Sequence, residues 1–179
     1  MRSLEEVLKD GIRDIPDYPQ AGVVFKDITP LLADHEGFSQ VVQALAASGR
    51  DADGNVVVDK VVGIEARGFI LAAPVALALG AGFVPVRKKG KLPAATYEES
   101  YALEYGKATI EVHQDAFEPG DRVLVIDDVL ATGGTVEACL RLVRRCGAEV
   151  VCTAVLLELS FLPGRERLAG ERLTAILTV

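Results

Sequence analysis

Residues 122–135 read RVLVIDDVLATGGT, an apolar run followed by two acidic residues and a glycine-rich turn. The run Val123-Leu124-Val125-Ile126 is apolar at every position, which is typical of a strand buried on both faces of a sheet. Beyond the turn, Leu140 and Val143 continue a helical spacing that Gly147 ends. The stretch therefore predicts a buried strand that leads through a tight turn into a helix.

The segments on either side repeat this alternation of strands and helices. Residues 60–64, 82–86 and 149–157 are further short apolar runs, each typical of a strand. Residues 69–79 are apolar on every side, which predicts a helix buried all round. This order predicts an α/β fold with a mostly parallel central sheet flanked by helices on both faces, in a single domain over residues 1–179.

The character of the sequence changes over residues 87–106. This segment is polar and mixed in charge, it contains Gly90 and Pro93, and it shows no helical or strand period. A loop of such length is uncommon inside a compact domain, and lids and binding loops are the usual exceptions. We therefore expect a long lid loop here.

Composition excludes several classes of protein. The formal net charge is −7, from 26 acidic and 19 basic residues, whereas a general nucleic-acid binder needs surplus Lys and Arg to neutralise phosphates. No apolar run reaches the roughly 18 residues of a membrane-spanning helix, and the first residues do not resemble a signal peptide. The three cysteines form no CxxC pair, so neither a zinc knuckle nor a disulfide framework is indicated. We expect a soluble cytoplasmic protein that binds neither nucleic acid nor membrane.

The acidic pair Asp127 and Asp128 ends a buried strand, and ligands of open parallel sheets bind beyond the carboxyl ends of strands. Carboxylates accept hydrogen bonds from vicinal hydroxyls such as those of a ribose. The turn that follows supplies backbone N–H groups, threonine hydroxyls and a helix N-terminus, which suit a phosphate. A helix N-cap would explain Thr132 or Asp128, but not both acidic residues and both glycines. The combination predicts a site for a ribose 5-phosphate.

Two further segments offer cations for a second anion. Arg67 follows the strand at 60–64, and its guanidinium matches phosphate oxygens, although an arginine before a helix is usually a surface residue. The basic cluster Arg87-Lys88-Lys89-Gly90-Lys91 begins the expected lid loop. Such charge runs usually form a solvated face, but the position after a sheet strand favours an anion clamp.

Together these residues resemble a known family. Residues 123–135 resemble the 5-phosphoribosyl 1-pyrophosphate (PRPP) motif of the type I phosphoribosyltransferases. Segments along nearly the whole chain are similar to the adenine-using members of that family, namely residues 19–30, 65–69, 87–93 and 100–107. The resemblance implies the type I phosphoribosyltransferase fold, with a small N-terminal hood within residues 1–33 and a long flexible lid loop at 87–106.

The resemblance also implies an activity: adenine and PRPP would give AMP and pyrophosphate in purine salvage, with Mg²⁺ as a cofactor held mainly by substrate rather than by a protein cage. A homodimer is expected, because in this family some lid contacts reach the partner subunit. The ribose and 5-phosphate would be bound by Asp127, Asp128, Ala131, Thr132, Gly133, Gly134 and Thr135. The pyrophosphate would be bound by Glu65, Ala66, Arg67, Arg87, Lys88 and Lys91.

For the base, the resemblance implies a separate group of residues. Phe25 would stack on adenine, and backbone groups at positions 24 and 26 would meet its edge. Glu104 is similar to the lid carboxylate proposed for proton transfer to or from the base, and Arg67 would share the catalysis. The adenine-binding residues would be Val24, Phe25, Lys26 and Leu130.

The sequence departs from its relatives at a few positions. Glu65 stands where many relatives have Asp, and Lys26 stands where Arg is common. The resemblance itself implies a strained or cis peptide at Glu65–Ala66. Ala131 stands where enzymes for 6-oxopurines carry Asp, close to the purine N7. Because alanine carries no proton, base chemistry would move to Glu104, and the replacement fits adenine over hypoxanthine or guanine.

Two alternatives stay open. The chain could serve another purine such as xanthine, which a comparison of purines in one assay would separate. It could instead be a non-catalytic regulator that senses PRPP, but known regulators of that kind add a DNA-binding segment, and the charge of this chain is wrong for DNA.

Overall fold

The structure is a computed structural model that describes residues 2–103 and 105–179. It consists of two units, Met1–Gln43 and Ala44–Val179. The first unit holds α1 (Leu4–Gly11), β1 (Arg13–Pro16), β2 (Val24–Asp27), α2 (Thr29–Ala33) and the start of α3 (His35–Ala46). A capping box fixes the start of α1, because Ser3 N donates to Glu6 Oε2 at 2.7 Å and Glu6 N donates to Ser3 Oγ at 3.2 Å. The strands β1 and β2 pair antiparallel.

The second unit is built on a sheet of seven strands. The strands are β3 (Lys60–Ile64), β4 (Gly82–Lys88), β5 (Thr96–Ala102), β6 (Lys107–His113), β7 (Arg122–Leu130), β8 (Glu149–Glu158) and β9 (Leu173–Thr178). The helices are α4 (Arg67–Leu79), α5 (Gly134–Arg145) and α6 (Gly164–Arg167). The strand order is β5-β6-β4-β3-β7-β8-β9, parallel from β4 to β9 and antiparallel at the β5–β6 edge. This confirms the α/β fold with a mostly parallel central sheet.

The central strands send alternate residues to opposite faces of the sheet. Val62 and Ile64 of β3 belong to the hydrophobic core that includes Leu140 of α5. Gly63 between them lies against α4, where a Cβ would come within 2.8 Å of the Ala72 side chain. Because both faces are covered, these strands are apolar at successive positions, which is the pattern that the sequence displays.

The strand order reverses between β3 and β7. Strand β3 continues through α4 to its neighbour β4, whereas β7 continues through α5 to β8 on the other side. The carboxyl ends of β3 and β7 therefore lie at a topological switch point, where open α/β sheets bind their ligands.

The lid segment differs from the expected loop without strand structure. Residues 96–102 form the strand β5, which pairs with β6 from Thr96↔His113 to Ala102↔Lys107. Strand β4 also extends to Lys88. Residues 87–88 and 96–102 of the segment therefore lie in strands, and the loop proper is shorter than predicted.

Contacts with α5 explain why this polar segment forms a strand. Tyr97, Glu99 and Tyr101 alternate along β5, and each contacts α5. The guanidinium of Arg145 lies 5.0 Å from the centre of the Tyr97 ring, and Arg141 Nε lies 3.5 Å from Glu99 Oε2. Because one of these alternating residues, Glu99, is charged, the sequence does not show the apolar residue at every second position that is typical of a strand.

Helix α4 also departs from its prediction, because one of its sides is exposed. Ile70 and Leu77, seven residues apart and hence on the same face, are 43% and 84% exposed. Phe83 of β4 is 38% exposed, and its ring meets that of Phe69 edge-on at 6.0 Å. An apolar surface is therefore left on α4 and β4. In the part of the chain that the structure describes, no helix is long and apolar enough to cross a bilayer.

Candidate active site

The acidic pair lies on β7 at the switch point. Asp128 is 6% exposed, and its Oδ2 lies 2.6 Å from Nε of Arg67, the first residue of α4. No residue among 2–103 and 105–179 donates a hydrogen bond to Oδ2, so its contact with Arg67 is an ion pair. The structure therefore joins two of the predicted site residues, one from β7 and one from the helix that follows β3.

Asp127 lies between β7 and the start of α4. Its Oδ1 accepts a hydrogen bond from Asp128 N at 2.9 Å. A Cβ at Gly68 would lie 3.1 Å from Asp127 Oδ1 and 3.2 Å from the Ile126 carbonyl oxygen, so glycine lets the helix start approach the strand closely. Burial, and then the neighbouring charge of Asp128, hold the pKa of Asp127 well above its ordinary value.

The turn after the acidic pair surrounds a small cavity. Its volume is about 80 Å³, against the roughly 10–15 Å³ that one water molecule needs. Helix α5 begins at Gly134, preceded by Gly133 in the left-handed conformation with φ of 82°. The first amide groups of a helix are unpaired donors that favour an anion. The residues that line the cavity are Asp127, Val129, Leu130, Ala131, Thr132, Gly133, Gly134, Thr135 and Val136.

Helix α6 packs against this turn. A Cβ at Gly164 would overlap the carbonyl oxygen of Ala131 and come within 2.9 Å of Leu130 Cγ. A Cβ at Gly133 would lie 3.1 Å from the backbone of Gly164. The glycines therefore let two backbone segments touch directly, which fixes the shape of the turn.

The β5–β6 hairpin also reaches this turn. The hydroxyl of Thr135 donates to the hydroxyl of Tyr101 at 3.0 Å. Sequence reasoning missed the role of Tyr101, because nothing in residues 96–102 indicated which partner they meet.

The second predicted anion site lies after β3. Glu65 follows β3, its peptide bond to Ala66 is cis as expected, and its side chain binds Arg87. Arg87 Nε and Nη2 lie 2.8 and 2.7 Å from Glu65 Oε1, and Lys88 N donates to Oε2 at 3.2 Å. The structure thus joins Glu65, Arg87 and the Lys88 backbone in one cluster at the end of β3 and β4. Lys88 and Lys91 are exposed.

The residues predicted to bind the base lie in different places. Val24, Phe25 and Lys26 form β2 in the first unit, where Phe25 meets Tyr18 edge-on at 5.2 Å and Lys26 Nζ lies 2.6 Å from Asp14 Oδ1. Leu130 ends β7 with a buried side chain. Glu104 lies outside the described residues.

Known proteins are similar to this chain in sequence and in fold. A model of the phosphoribosyl transferase domain matches residues 31–169. A protein from a Nocardioides species described as adenine phosphoribosyltransferase is 68% identical over 94% of this chain and 91% of its own length. This chain belongs to the adenine phosphoribosyltransferases.

Solved structures of this type I phosphoribosyltransferase family agree with the fold. The crystal structure of adenine phosphoribosyltransferase from Rhodothermus marinus has a TM-score of 0.90 at 54% identity and covers 98% of each chain. The enzyme from Saccharomyces cerevisiae, solved with an imino-altritol bisphosphate and adenine, has a TM-score of 0.92 at 34% identity, over 99% of this chain and all of the other. The similarity extends over the whole sheet and both units.

Proposed function

We propose that this protein transfers the 5-phosphoribosyl group from PRPP to adenine, which yields AMP and pyrophosphate for purine salvage. The observation that carries the proposal is the acidic pair of β7 with the glycine–threonine turn behind it, opposite Arg67 at the switch point. The high identity to enzymes named for adenine supports the choice of base.

The ribose 5-phosphate would occupy the cavity at the start of α5. Residues 131–135 would hold the phosphate with backbone N–H groups, two threonine hydroxyls and the positive end of the helix. Asp127 and Asp128 cannot share that role, because carboxylates and phosphate repel. They would accept hydrogen bonds from the ribose hydroxyls instead.

The pyrophosphate would lie on the cationic side of the switch point. Arg67 would contact it there, with Arg87, Lys88 and Lys91 completing the clamp. Glu65, which holds Arg87 at 2.7 Å, would act on pyrophosphate through that arginine and the backbone of residues 65–67. The 5-phosphate and the pyrophosphate of PRPP would thus bind to different segments of the chain, each of which follows its own strand.

Mg²⁺ fits the residues present. The ion accepts one or two carboxylates together with substrate oxygens and waters, and Asp128 Oδ2, which pairs with Arg67 at 2.6 Å, accepts no hydrogen bond from the described residues. We expect the substrate to supply most of its ligands and Asp127 and Asp128 to lie closest among the side chains. When bound, Mg²⁺ neutralises charge on the diphosphate.

The residues of this chain would act mainly by electrostatics. Cleavage of the bond from C1′ to pyrophosphate leaves an oxocarbenium-like ribosyl centre and a growing negative charge on the leaving group. Arg67 and the basic residues stabilise that charge from fixed positions. The hairpin and the loop beside it would exclude water, which competes with adenine N9 for C1′.

Adenine would be recognised by stacking and by its edge. Phe25 would stack on the ring, and Val24 and Lys26 would present backbone groups to it. Leu130 is the fourth residue that we assign to the base. Ala131 offers no carboxylate to N7, so Glu104 is the group we assign to proton transfer at the base. A 6-oxopurine exchanges donor for acceptor at N1 and C6, which would leave buried groups unpaired at about 1–3 kcal/mol each.

We also propose that the enzyme is a homodimer in the cytoplasm. The exposed apolar surface formed by Ile70, Leu77 and Phe83 suits burial against a second copy of the same face. Cys139 and Cys152 are buried thiols, which suits a reducing compartment.

Pyrophosphate release, measured with adenine, hypoxanthine, guanine and xanthine, with and without Mg²⁺, tests the proposed function. We expect release with adenine and Mg²⁺ only. The matched control is the double variant Asp127→Asn and Asp128→Asn, which we expect to fold and to bind PRPP at least tenfold more weakly, from the charged hydrogen bonds lost. Release with xanthine alone, or with no purine, would contradict the proposal.

A further inference from the structure

A buried carboxylate lies beneath the basic segment, outside every group used so far. Glu111 is on β6, directly opposite Arg87 of β4, and it is 3% exposed. Its Oε1 accepts two backbone hydrogen bonds, from Lys91 N at 3.0 Å and from Leu92 N at 2.8 Å. Its Oε2 lies 3.5 Å from the hydroxyl of Thr96.

The carboxylate is held in its charged form. Burial opposes ionisation, but the N–H donors of Leu92, Gly90 and Lys91 outweigh it, so the pKa of Glu111 lies below its ordinary value. Burying a charge costs free energy unless such donors satisfy it. The N–H groups of residues 90–92 and the carboxylate of Glu111 therefore stabilise each other, and each would lose hydrogen-bond partners without the other.

This interaction closes a turn that carries two cations. Lys91 N also lies 3.3 Å from the Lys88 carbonyl oxygen, and Arg87 Nη1 donates to the Lys91 carbonyl oxygen at 3.2 Å. The backbone of Lys91 is thus held by a carboxylate on one side and a guanidinium on the other. The side chains of Lys88 and Lys91 project from this fixed turn into solvent.

We propose that Glu111 is a positioning residue for the pyrophosphate end of PRPP, acting through the turn of residues 88–92. The proposal rests on the function proposed above, which assigns Lys88 and Lys91 to pyrophosphate. A cation fixed before binding loses little entropy when its anion arrives, whereas a mobile turn must be ordered at that moment. The buried carboxylate of Glu111 fixes the turn through its backbone N–H groups and does not itself contact the substrate.

Two product molecules separate the role of Glu111 from a general loss of structure. Pyrophosphate carries only the group that the turn would meet, and AMP carries only the group that the start of α5 would meet. A positioning role at residues 88–92 predicts weaker binding of pyrophosphate and of PRPP with unchanged binding of AMP. A merely structural role predicts that both products weaken together.

Two variants and one control make the test. Glu111→Ala leaves two buried N–H groups unpaired, and we expect the Kd of pyrophosphate (with Mg²⁺) and the KM of PRPP to rise by about tenfold to a hundredfold. Glu111→Gln keeps Oε1 as an acceptor and the same volume, so it should fold and raise both values by less than tenfold. Glu99→Gln removes a carboxylate from the same hairpin, where it faces Arg141, and should change neither value.

Each outcome is informative. Equal losses of pyrophosphate and AMP binding in the Glu111 variants, or wild-type values in both, would overturn the positioning role. Should Glu111→Ala fail to fold, Glu111→Gln decides alone, since any selective loss of pyrophosphate binding supports the role and its absence refutes it. Failure of the wild type to bind pyrophosphate and AMP would instead refute the proposed function.

Discussion

Gly164 offers the sharpest test of how α6 shapes the turn of residues 131–135. In Gly164→Ala the new Cβ would overlap the Ala131 carbonyl oxygen and stand 2.9 Å from Leu130 Cγ, where ordinary contact begins at 3.4 Å. The turn must therefore move by on the order of 1 Å, a displacement that can lower activity by about a hundredfold. Forcing a methyl group into this contact should also cost about 1–3 kcal/mol of unfolding free energy.

The assay compares the KM of PRPP and the Kd of AMP with stability measured by urea denaturation. Gly170→Ala is the matched control, because Gly170 has a φ of 90° and nothing within 4 Å of a Cβ. Its alanine is strained by about 1–2 kcal/mol without pushing on the turn. Both variants should lose stability, and only Gly164→Ala should weaken PRPP and AMP. If the two variants bind AMP equally well, our account of α6 as the support of the turn is wrong.

Three further predictions follow from named residues. Glu104→Gln should lower kcat by up to about 10²–10⁴-fold with little change in the KM of PRPP, as steady-state kinetics will show; an unchanged kcat removes its proton-transfer role. Because the pKa of Asp127 is raised in the folded protein, its contribution to stability is present at low pH and is lost as pH rises through that raised pKa. Asp127→Asn should therefore gain stability over wild type in denaturation experiments as pH rises above the ordinary range of an aspartate. Asp59→Asn removes a carboxyl whose pKa Arg122 lowers to about 2, so it should lose stability relative to wild type as pH rises from about 2 to 4 and differ by a constant amount above that. Leu77→Glu should dissociate the proposed dimer in sedimentation experiments, and an unchanged mass would exclude α4 from the interface.

The sequence predicts those parts of the fold whose residues are buried on both sides. Residues 60–64 and 123–126 form strands as expected, because continuous burial leaves an apolar run that no solvent-facing position interrupts. The tight turn of residues 131–135 could be predicted for a related reason. Its glycines, threonines and flanking helix are local features, so the cavity of residues 131–135 needs no distant partner to be recognised.

Other features depend on partners far away in the chain. The sequence of strand β5 is typical of a loop because the charged Glu99 lies between Tyr97 and Tyr101, and only the contact with α5 shows that this face is covered. Glu111 occupies an alternating polar position typical of solvent exposure, yet it is buried by donors twenty residues away. Likewise, nothing in the sequence around Gly164 indicates that it touches the Ala131 backbone.

The hydrogen bond between Thr135 and Tyr101 would connect the proposed phosphate site to strand β5. Each hydroxyl has a single proton, and Thr135 directs its proton to Tyr101. A phosphate oxygen that takes the Thr135 proton obliges the tyrosine to turn its own proton round and become the donor. The direction of this one bond would then differ between the empty and the phosphate-bound protein, although no heavy atom need move.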